Sequence, residues 1–309
     1  MTQAFALYLH SPTNPAPWVS AFHELASELE VRVWPEPPPQ AEAVYALTWS
    51  PPEGFFAAIP NLKGVFALAA GVDRLVNRAD LAREIPLVRL TDAGMAQQMI
   101  EYVLYGVLRF QRGFDAYAED QAAGLWRPRG PKSAAETRVL VLGLGELGAQ
   151  VAQALAGFGY AVAGWSRSPR EIEGVDCLHG LEALDARLER VDVLASVLPS
   201  TPGTRGLLDR SRLSRLPAGA AVINAGRGDL IELDALCDLL ESGHLRGALL
   251  DVLPLEPAPA DSRAWRCRGL QFTPHVAAST LPYPSAQQIL EKLEDLRAGR
   301  AVRGLVARP

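Results

Sequence analysis

Three side chains of this 309-residue chain follow short apolar runs at widely separated places, and together they could move a proton beside an anion. Arg227 stands in Asn224-Ala225-Gly226-Arg227-Gly228, behind the run Ala221-Val222-Ile223. Glu256 stands in Pro254-Leu255-Glu256-Pro257, behind Leu249-Leu250-Asp251-Val252-Leu253, and His275 stands in Thr273-Pro274-His275-Val276-Ala277-Ala278, behind Gln271-Phe272. A guanidinium is a permanently charged fork that pairs with carboxylates. An imidazole gives or takes a proton near neutral pH, and a carboxylate beside it can orient it. Each residue alone has an ordinary reading: a structural histidine, a solvated loop acid, a turn arginine. Their recurrence at three strand ends, downstream of the glycine motif described next, makes a shared site the stronger reading.

Upstream, Val139-Leu140-Val141-Leu142 runs into Gly143-Leu144-Gly145-Glu146-Leu147-Gly148, and apolar residues at helical spacing follow through Val151, Leu155 and Phe158. Strand, G-x-G-x-x-G turn and helix in that order form a dinucleotide-binding context. The first glycine permits the tight turn, the second lets the backbone approach a pyrophosphate, and the third packs helix against strand. The anion then meets the free N–H groups and dipole of a helix N-terminus. Glycine spacing alone is weak; the strand before and the helix after give it specificity. About twenty residues further on, an NAD site would carry Asp or Glu for the ribose 2′-hydroxyl. This chain carries Trp165-Ser166-Arg167-Ser168, with Arg170 close by. A carboxylate would repel a 2′-phosphate, whereas Arg167 can pair with it and Ser166 and Ser168 can donate hydrogen bonds. The expected cofactor is therefore NADP(H).

These residues need a frame. Apolar runs over residues 4–9, 31–34, 43–48, 64–69 and 86–89 predict strands, with an amphipathic helix over 18–29. A second series starts with the strand before the glycine motif and adds five more, over 161–165, 191–198, 220–224, 248–253 and 270–273. Met99, Val103, Gly106, Val107 and Phe110 predict a long connecting helix from Ala96 to about Gly113, and a Gly- and Pro-rich loop over 124–134 leads into the glycine motif. A final helix over 285–298 is predicted after a break at Pro282 and Pro284, and it is expected to return to the first domain. The expected fold is α/β: two doubly wound parallel-sheet domains, Rossmann-like and flavodoxin-like, with a cleft between them. Residues 1–95 and 283–309 are expected to form a substrate-binding domain, and residues 96–282 the dinucleotide-binding domain.

Composition narrows the function classes. Hydrophobic residues at 49% and charged residues at 21% fit a globular chain rather than a disordered one. A net charge of −5 offers no basic footprint for nucleic acid. No uninterrupted apolar segment is long enough to cross a bilayer, and an N-terminus with Tyr8, His10 and Pro12 does not read as a secretion signal. Cys177, Cys237 and Cys267 are odd in number, widely spaced and fit no metal pattern. Thiols in a reducing compartment are expected, and hence a cytoplasmic protein with no metal, membrane or nucleic-acid partner.

The segments Gly143 to Gly148, Leu198-Pro199-Ser200-Thr201-Pro202-Gly203-Thr204, Asn224 to Asp229, Gly247 to Val252, Leu255-Glu256-Pro257 and Thr273 to Ala278 resemble, in order, the motif set of the D-isomer-specific 2-hydroxyacid dehydrogenases. The similarity covers nearly the whole chain. Leu47 to Pro52, Ala69 to Asp73, Asp92 to Met95, Leu125 to Pro128 and Trp165 to Ser168 resemble the bacterial glyoxylate/hydroxypyruvate reductase A branch.

The resemblance implies that His275 is the general acid toward a keto oxygen, that Glu256 holds its imidazole in one tautomer and favours the protonated form, and that Arg227 clamps the substrate carboxylate. It implies that backbone N–H groups at Ala70, Gly71 and Val72 bind the other end of that carboxylate. Asp251 is expected to contact the nicotinamide carboxamide, with Leu198, Pro199, Thr204, Ala225 and Gly226 on the cofactor's nicotinamide side. Trp49 and Met95 could wall off a small substrate, with core packing an equal reading for both. In similar enzymes the Trp126 region reaches into the partner subunit's site, which requires a homodimer. Gly226 replaces a common alanine and is expected to loosen the Arg227 turn; Ser200 and Gly203 also depart from the pattern. The implied activity is NADPH-dependent reduction of small 2-oxo acids, glyoxylate and hydroxypyruvate first. Two alternatives stay open: a broader 2-keto acid reductase, and a non-catalytic NADP(H)-sensing scaffold, against which the intact Arg227, Glu256 and His275 argue.

Overall fold

A computed structural model describes residues 5–11, 13–130 and 132–308. Ala4, where the first predicted strand begins, and Pro12 and Pro309 lie outside the described residues. The chain divides into two compact units, Met1–Met95 with Thr280–Pro309, and Ala96–Ser279.

In the first unit, strands β1 (Ala6–His10), β2 (Val31–Val33), β3 (Val44–Thr48), β4 (Leu62–Ala67) and β5 (Leu87–Arg89) form a parallel sheet in the order β2-β1-β3-β4-β5. That is the flavodoxin-like order, with its reversal between β1 and β3. Successive residues of a strand face opposite sides of a sheet. Ala6, Tyr8, Val44, Ala46, Val65 and Ala67 accordingly pack with Phe55, Phe56 and Leu75, while Leu7, Leu9, Leu47 and Phe66 are buried in alternation with them. Helix α1 (Ala16–Leu25) packs on the last helix, α8 (Pro282–Arg297). The chain end then covers the edge of β5: Val88 bridges Leu305 in antiparallel sense, Val306 N donates to Leu87 O at 2.9 Å, and Lys292 Nζ donates to Arg89 O at 2.8 Å.

The second unit holds seven parallel strands: β6 (Arg138–Leu142), β7 (Ala161–Ser166), β8 (Asp176–His179), β9 (Val193–Ser196), β10 (Ala221–Asn224), β11 (Gly247–Leu250) and β12 (Leu270–Phe272). Their order, β12-β11-β10-β9-β6-β7-β8, is the Rossmann order, and it reverses between β6 and β9. Helices α2 (Met95–Gln111) and α4 (Glu146–Gly157) contribute to one apolar layer, and α5 (Leu181–Leu188), α6 (Arg210–Arg215) and α7 (Leu233–Glu241) to the other. The near-continuous apolar run of β6 is explained by this arrangement. Val139 and Val141 pack with Val103, Val107 and Val151, while Leu140 and Leu142 pack with Leu184, Leu213 and Leu236.

Four expectations are corrected. The sheet gains a seventh strand at its edge, β8, whose sequence Asp-Cys-Leu-His has no apolar run to announce it. A helix, α3 (Phe114–Ala122), precedes the Gly-rich loop; it buries no apolar side chain and is set off from α2 by Gly113 at φ 72°. Pro282 does not break the last helix but begins it, since a first-turn proline has no amide bond to lose. The strands read as 191–198 and 248–253 end earlier, because Leu198, Val252 and Leu253 leave the sheet to form loops at its carboxyl edge.

Asp192, just before β9, ties that strand to β6 by accepting from Arg138 N at 2.8 Å, Arg138 Nε at 3.0 Å and Lys132 Nζ at 3.1 Å. Burial pushes its carboxyl up, but the hydrogen bonds from Arg138 and Lys132 outweigh that and hold it at about 2. The folded value lies below the ordinary 3.8, so the contribution is complete above roughly pH 4 and is lost as pH falls through about 2. Asp192→Asn is expected to lower unfolding free energy by about 1–2 kcal/mol at pH 7. Urea titrations should show that gap closing as the pH approaches 2; a gap independent of pH would rule out the carboxylate as its source.

Candidate active site

In a parallel sheet every strand delivers its carboxyl end to one edge, and the residues that could do chemistry lie in loops there. β10 ends in buried Asn224, whose side chain folds the next turn: Oδ1 accepts from Gly226 N at 3.1 Å and Nδ2 donates to Arg227 O at 2.9 Å. Arg227 is half-buried, with Nη1 donating to Gly226 O at 2.8 Å. A Cβ added to Gly226 would lie 2.4 Å from Leu198 O and 2.7 Å from Leu198 N. The expected loosening of the Arg227 turn is therefore corrected: glycine here lets the loops after β9 and β10 press together. Two residues on, a Cβ at Gly228 would lie 2.0 Å from the Leu253 carbonyl carbon, so the Arg227 loop also abuts the loop after β11.

Glu256 belongs to that third loop. Its Oε1 accepts from Leu253 N at 3.0 Å, which anchors the carboxylate, and its Oε2 meets His275 Nδ1 at 2.8 Å. An ionised carboxylate only accepts, so Nδ1 carries the proton in this contact and the ring's tautomer is set. His275 itself is about one-third exposed and sits at φ 58°, a left-handed conformation that costs a non-glycine residue on the order of 1 kcal/mol.

Asp251, only 2% exposed, holds that turn: its carbonyl accepts from His275 N at 2.9 Å, Oδ1 from Val276 N at 2.8 Å, and Oδ2 from Ala277 N at 2.8 Å. Thr273 Oγ1 donates to Asp251 Oδ1 at 2.6 Å and meets Tyr102 Oη at 2.8 Å. Sequence reading assigns no chemistry to Tyr102, because its partner is 171 residues away and nothing local marks it.

The glycine turn follows β6. A Cβ at Gly148 would fall 1.8 Å from Gly143 O, so the third glycine is required for α4 to meet the strand. Gly143, at φ 103°, makes the turn, and an added Cβ would lie 3.2 Å from Leu198 Cδ2. Gly145 caps α4 and no atom lies within 4 Å of its Cβ position. Packing does not require that glycine: its Cβ position faces open space before a helix N-terminus, where an anion could approach. Glu146 and Leu147, in the first turn of α4, are half-buried.

At the end of β7, Ser166 is buried and its hydroxyl donates to Ser168 O at 2.7 Å, so its proton shapes the turn. Arg167, Ser168 and Arg170 are exposed, and among the described residues neither arginine has an acidic partner. The Leu198–Thr204 loop is knitted by Thr204 Oγ1, which donates to Pro199 O at 2.6 Å and accepts from Thr201 N at 2.9 Å. Ser200, a departure from the family pattern, donates to Asp229 at 2.5 Å beside the Arg227 turn. Ala225 is buried at the end of β10.

In the first unit, Trp49 follows β3 half-buried, with the Arg74 guanidinium 5.1 Å from its ring centroid. Ala70, Gly71 and Val72 form the half-buried loop after β4, and Met95 is buried at 3% exposure, which gives it a packing role. His10 also packs, between the rings of Trp34 and Phe55. Trp126, in the second unit, is 97% exposed.

Comparison with known proteins places this geometry. The family model "D-isomer specific 2-hydroxyacid dehydrogenase, NAD binding domain" matches residues 104–277. A glyoxylate/hydroxypyruvate reductase A of Serratia proteamaculans is 40% identical over 305 residues, covering 97% of this chain and 97% of its own length. A D-isomer specific 2-hydroxyacid dehydrogenase of Xanthobacter autotrophicus Py2, solved in complex with NADPH and MES, is similar with TM-score 0.92 and 43% identity over 97% of each chain. An NADPH-dependent glyoxylate/hydroxypyruvate reductase of Sinorhizobium meliloti, solved with NADP and sulfate, has TM-score 0.90 and 31% identity over 97% of this chain and 98% of its own.

The contact at Gly226 can be tested directly. Gly226→Ala is expected to cost about 1–3 kcal/mol, because the new methyl group meets backbone that cannot move aside. Chemical denaturation measures it, and native-like stability would show that the loops after β9 and β10 have room between them.

Proposed function

This chain belongs to the D-isomer-specific 2-hydroxyacid dehydrogenases, and from that membership we propose that it reduces small 2-oxo acids, glyoxylate and hydroxypyruvate foremost, to 2-hydroxy acids with NADPH. The observation that carries the reading is the 2.8 Å contact of Glu256 with His275 Nδ1, made at the same sheet edge as the Arg227 loop and the glycine turn. The relatives named for glyoxylate and hydroxypyruvate reduction support the substrate class.

NADPH, when bound, would supply the hydride equivalent for reduction of the substrate's carbonyl carbon. With Nδ1 engaged by Glu256, His275 delivers its proton from Nε2 to the keto oxygen, so the C=O becomes H–C–O–H, and it recovers that proton in the reverse direction. Arg227 pairs with the substrate carboxylate and draws electron density from the adjacent carbonyl. Asp251 keeps the His275 turn in place; its remaining acceptor capacity is assigned to the nicotinamide carboxamide. Leu198, Pro199, Thr204, Ala225 and Gly226 are assigned to the nicotinamide side. Gly143, Gly145, Glu146, Leu147 and Gly148 are assigned to the pyrophosphate, and Arg167 with Ser168 to the 2′-phosphate, the Ser166 hydroxyl shaping their turn. The unit Ala96–Ser279 is thus assigned the cofactor. Substrate recognition in the other unit is assigned to Trp49, Ala70, Gly71 and Val72, and Met95, being buried, is assigned a packing role.

We also infer a homodimer from the family resemblance: in similar enzymes the region of Trp126, 97% exposed here, reaches into the partner subunit's site. A cytoplasmic location suits the three free thiols. Among the described residues no helix is long and apolar enough to cross a membrane.

A panel of 2-oxo acids with NADPH and NADH tests the reaction. NADPH oxidation with glyoxylate is expected, and His275→Ala should lower kcat by roughly 10²–10⁴-fold. Arg167→Glu should reduce kcat/KM for NADPH at least about tenfold while leaving NADH nearly unchanged. Tight NADPH binding without turnover of any keto acid would favour the scaffold reading, and faster reaction with NADH would overturn the Arg167 assignment. Sedimentation velocity should give twice the chain mass, with Trp126→Ala shifting the equilibrium toward monomer; a native monomer would overturn the dimer.

A further inference from the structure

A histidine in the left-handed region persists only where its surroundings over-determine the backbone. At His275 those surroundings are Asp251, which accepts the amides of His275, Val276 and Ala277 on its carbonyl, Oδ1 and Oδ2 in turn. Asp251 is in turn held by Thr273 Oγ1 at 2.6 Å. The single hydroxyl proton of Thr273 goes to that carboxylate, so in the 2.8 Å contact between Thr273 Oγ1 and Tyr102 Oη the tyrosine must donate. The chain of donation runs one way, from Tyr102 through Thr273 to Asp251. Burial raises the Tyr102 hydroxyl above its ordinary value, which keeps it a donor at any working pH.

We propose that Tyr102, on α2, is a positioning residue for the His275 turn, acting through Thr273 and Asp251. The path runs from helix hydroxyl to loop hydroxyl to buried carboxylate, which accepts the amides of Val276 and Ala277 while the Asp251 carbonyl accepts that of His275. Removing Oη leaves the Thr273 oxygen without its donor and free to rotate, which releases Asp251 Oδ1 from one of its two donors. The turn then samples other backbone conformations, and His275 spends less time where it can reach a keto oxygen. The consequence for turnover rests on the reading of His275 as proton donor; the consequence for the turn does not.

The test uses the full chain and the variants Tyr102→Phe, Thr273→Val, their double, and Thr273→Ser, with Tyr160→Phe as a control, since Tyr160 donates to Gln111 at 3.0 Å and takes no part in the network. In Tyr102→Phe, amide hydrogen exchange at His275, Val276 and Ala277 is expected to quicken by about tenfold, with the melting temperature shifted no more than in Tyr160→Phe. With NADPH and glyoxylate, kcat should fall about tenfold while the NADPH dissociation constant stays within about twofold. Thr273→Val should match Tyr102→Phe, the double variant should be no worse than either, and Thr273→Ser should restore native exchange and kcat. Native exchange at the three amides in both Tyr102→Phe and Thr273→Val would overturn the proposal, as would losses that multiply in the double variant. Absence of turnover in the native chain would overturn the reductase reading alone, because the exchange measurement still decides the role of Tyr102. Should Tyr102→Phe fail to fold, Thr273→Val against Thr273→Ser gives the same decision.

Discussion

The candidate site depends on one constraint: strands that all run parallel must surrender their carboxyl ends to the same edge, and the loops leaving that edge must then fit beside one another. In the second unit this crowding is resolved by missing side chains. Leu198 lies against both the Gly143 turn and Gly226, and Gly228 lies against Leu253. No Cβ fits at Gly226 or Gly228, so the loops after β9, β10 and β11 meet through backbone. That contact carries Arg227 to within one residue of the loop that holds Glu256.

Once the loops meet, polar groups of the loops fix them. Asn224, Glu256 and Asp251 each spend their side chains on backbone amides: Gly226 for the first, Leu253 for the second, Val276 and Ala277 for the third. Buried or half-buried polar groups satisfied in this way restrict the backbone to one arrangement, since every alternative would leave a donor or acceptor unpaired. His275 shows the result. Its left-handed backbone would be unfavourable in a free turn, and here three hydrogen bonds to Asp251 hold it and its two successors.

The cofactor half follows the same logic with different requirements. Gly148 is demanded by packing, whereas Gly145, three residues before it, faces open space in front of α4. At the end of β7 the charged groups are exposed and, among the described residues, have no acidic partners, whereas Ser166 turns inward to shape the loop that presents them. A residue read as a ligand donor can thus serve as the support for its neighbour.

Much of this was legible in the chain itself. Apolar runs mark eleven of the twelve strands among the described residues because a parallel sheet covered on both faces needs side chains apolar on both, and the spacing of Gly143, Gly145 and Gly148 needs only local geometry. β8 escaped because an edge strand half in water needs no such run, and α3 because it buries no apolar face that would mark it. That Arg227, Glu256 and His275 lie in loops after strands, at one edge of the sheet, could be read from the chain. What only tertiary structure decided is which of their neighbours hold them. The tightness at Gly226, the inward turn of Ser166 and the path from Tyr102 to Asp251 all join residues distant in sequence, and hydrogen bonds and steric limits between such residues exist only once the sheet has set their loops side by side.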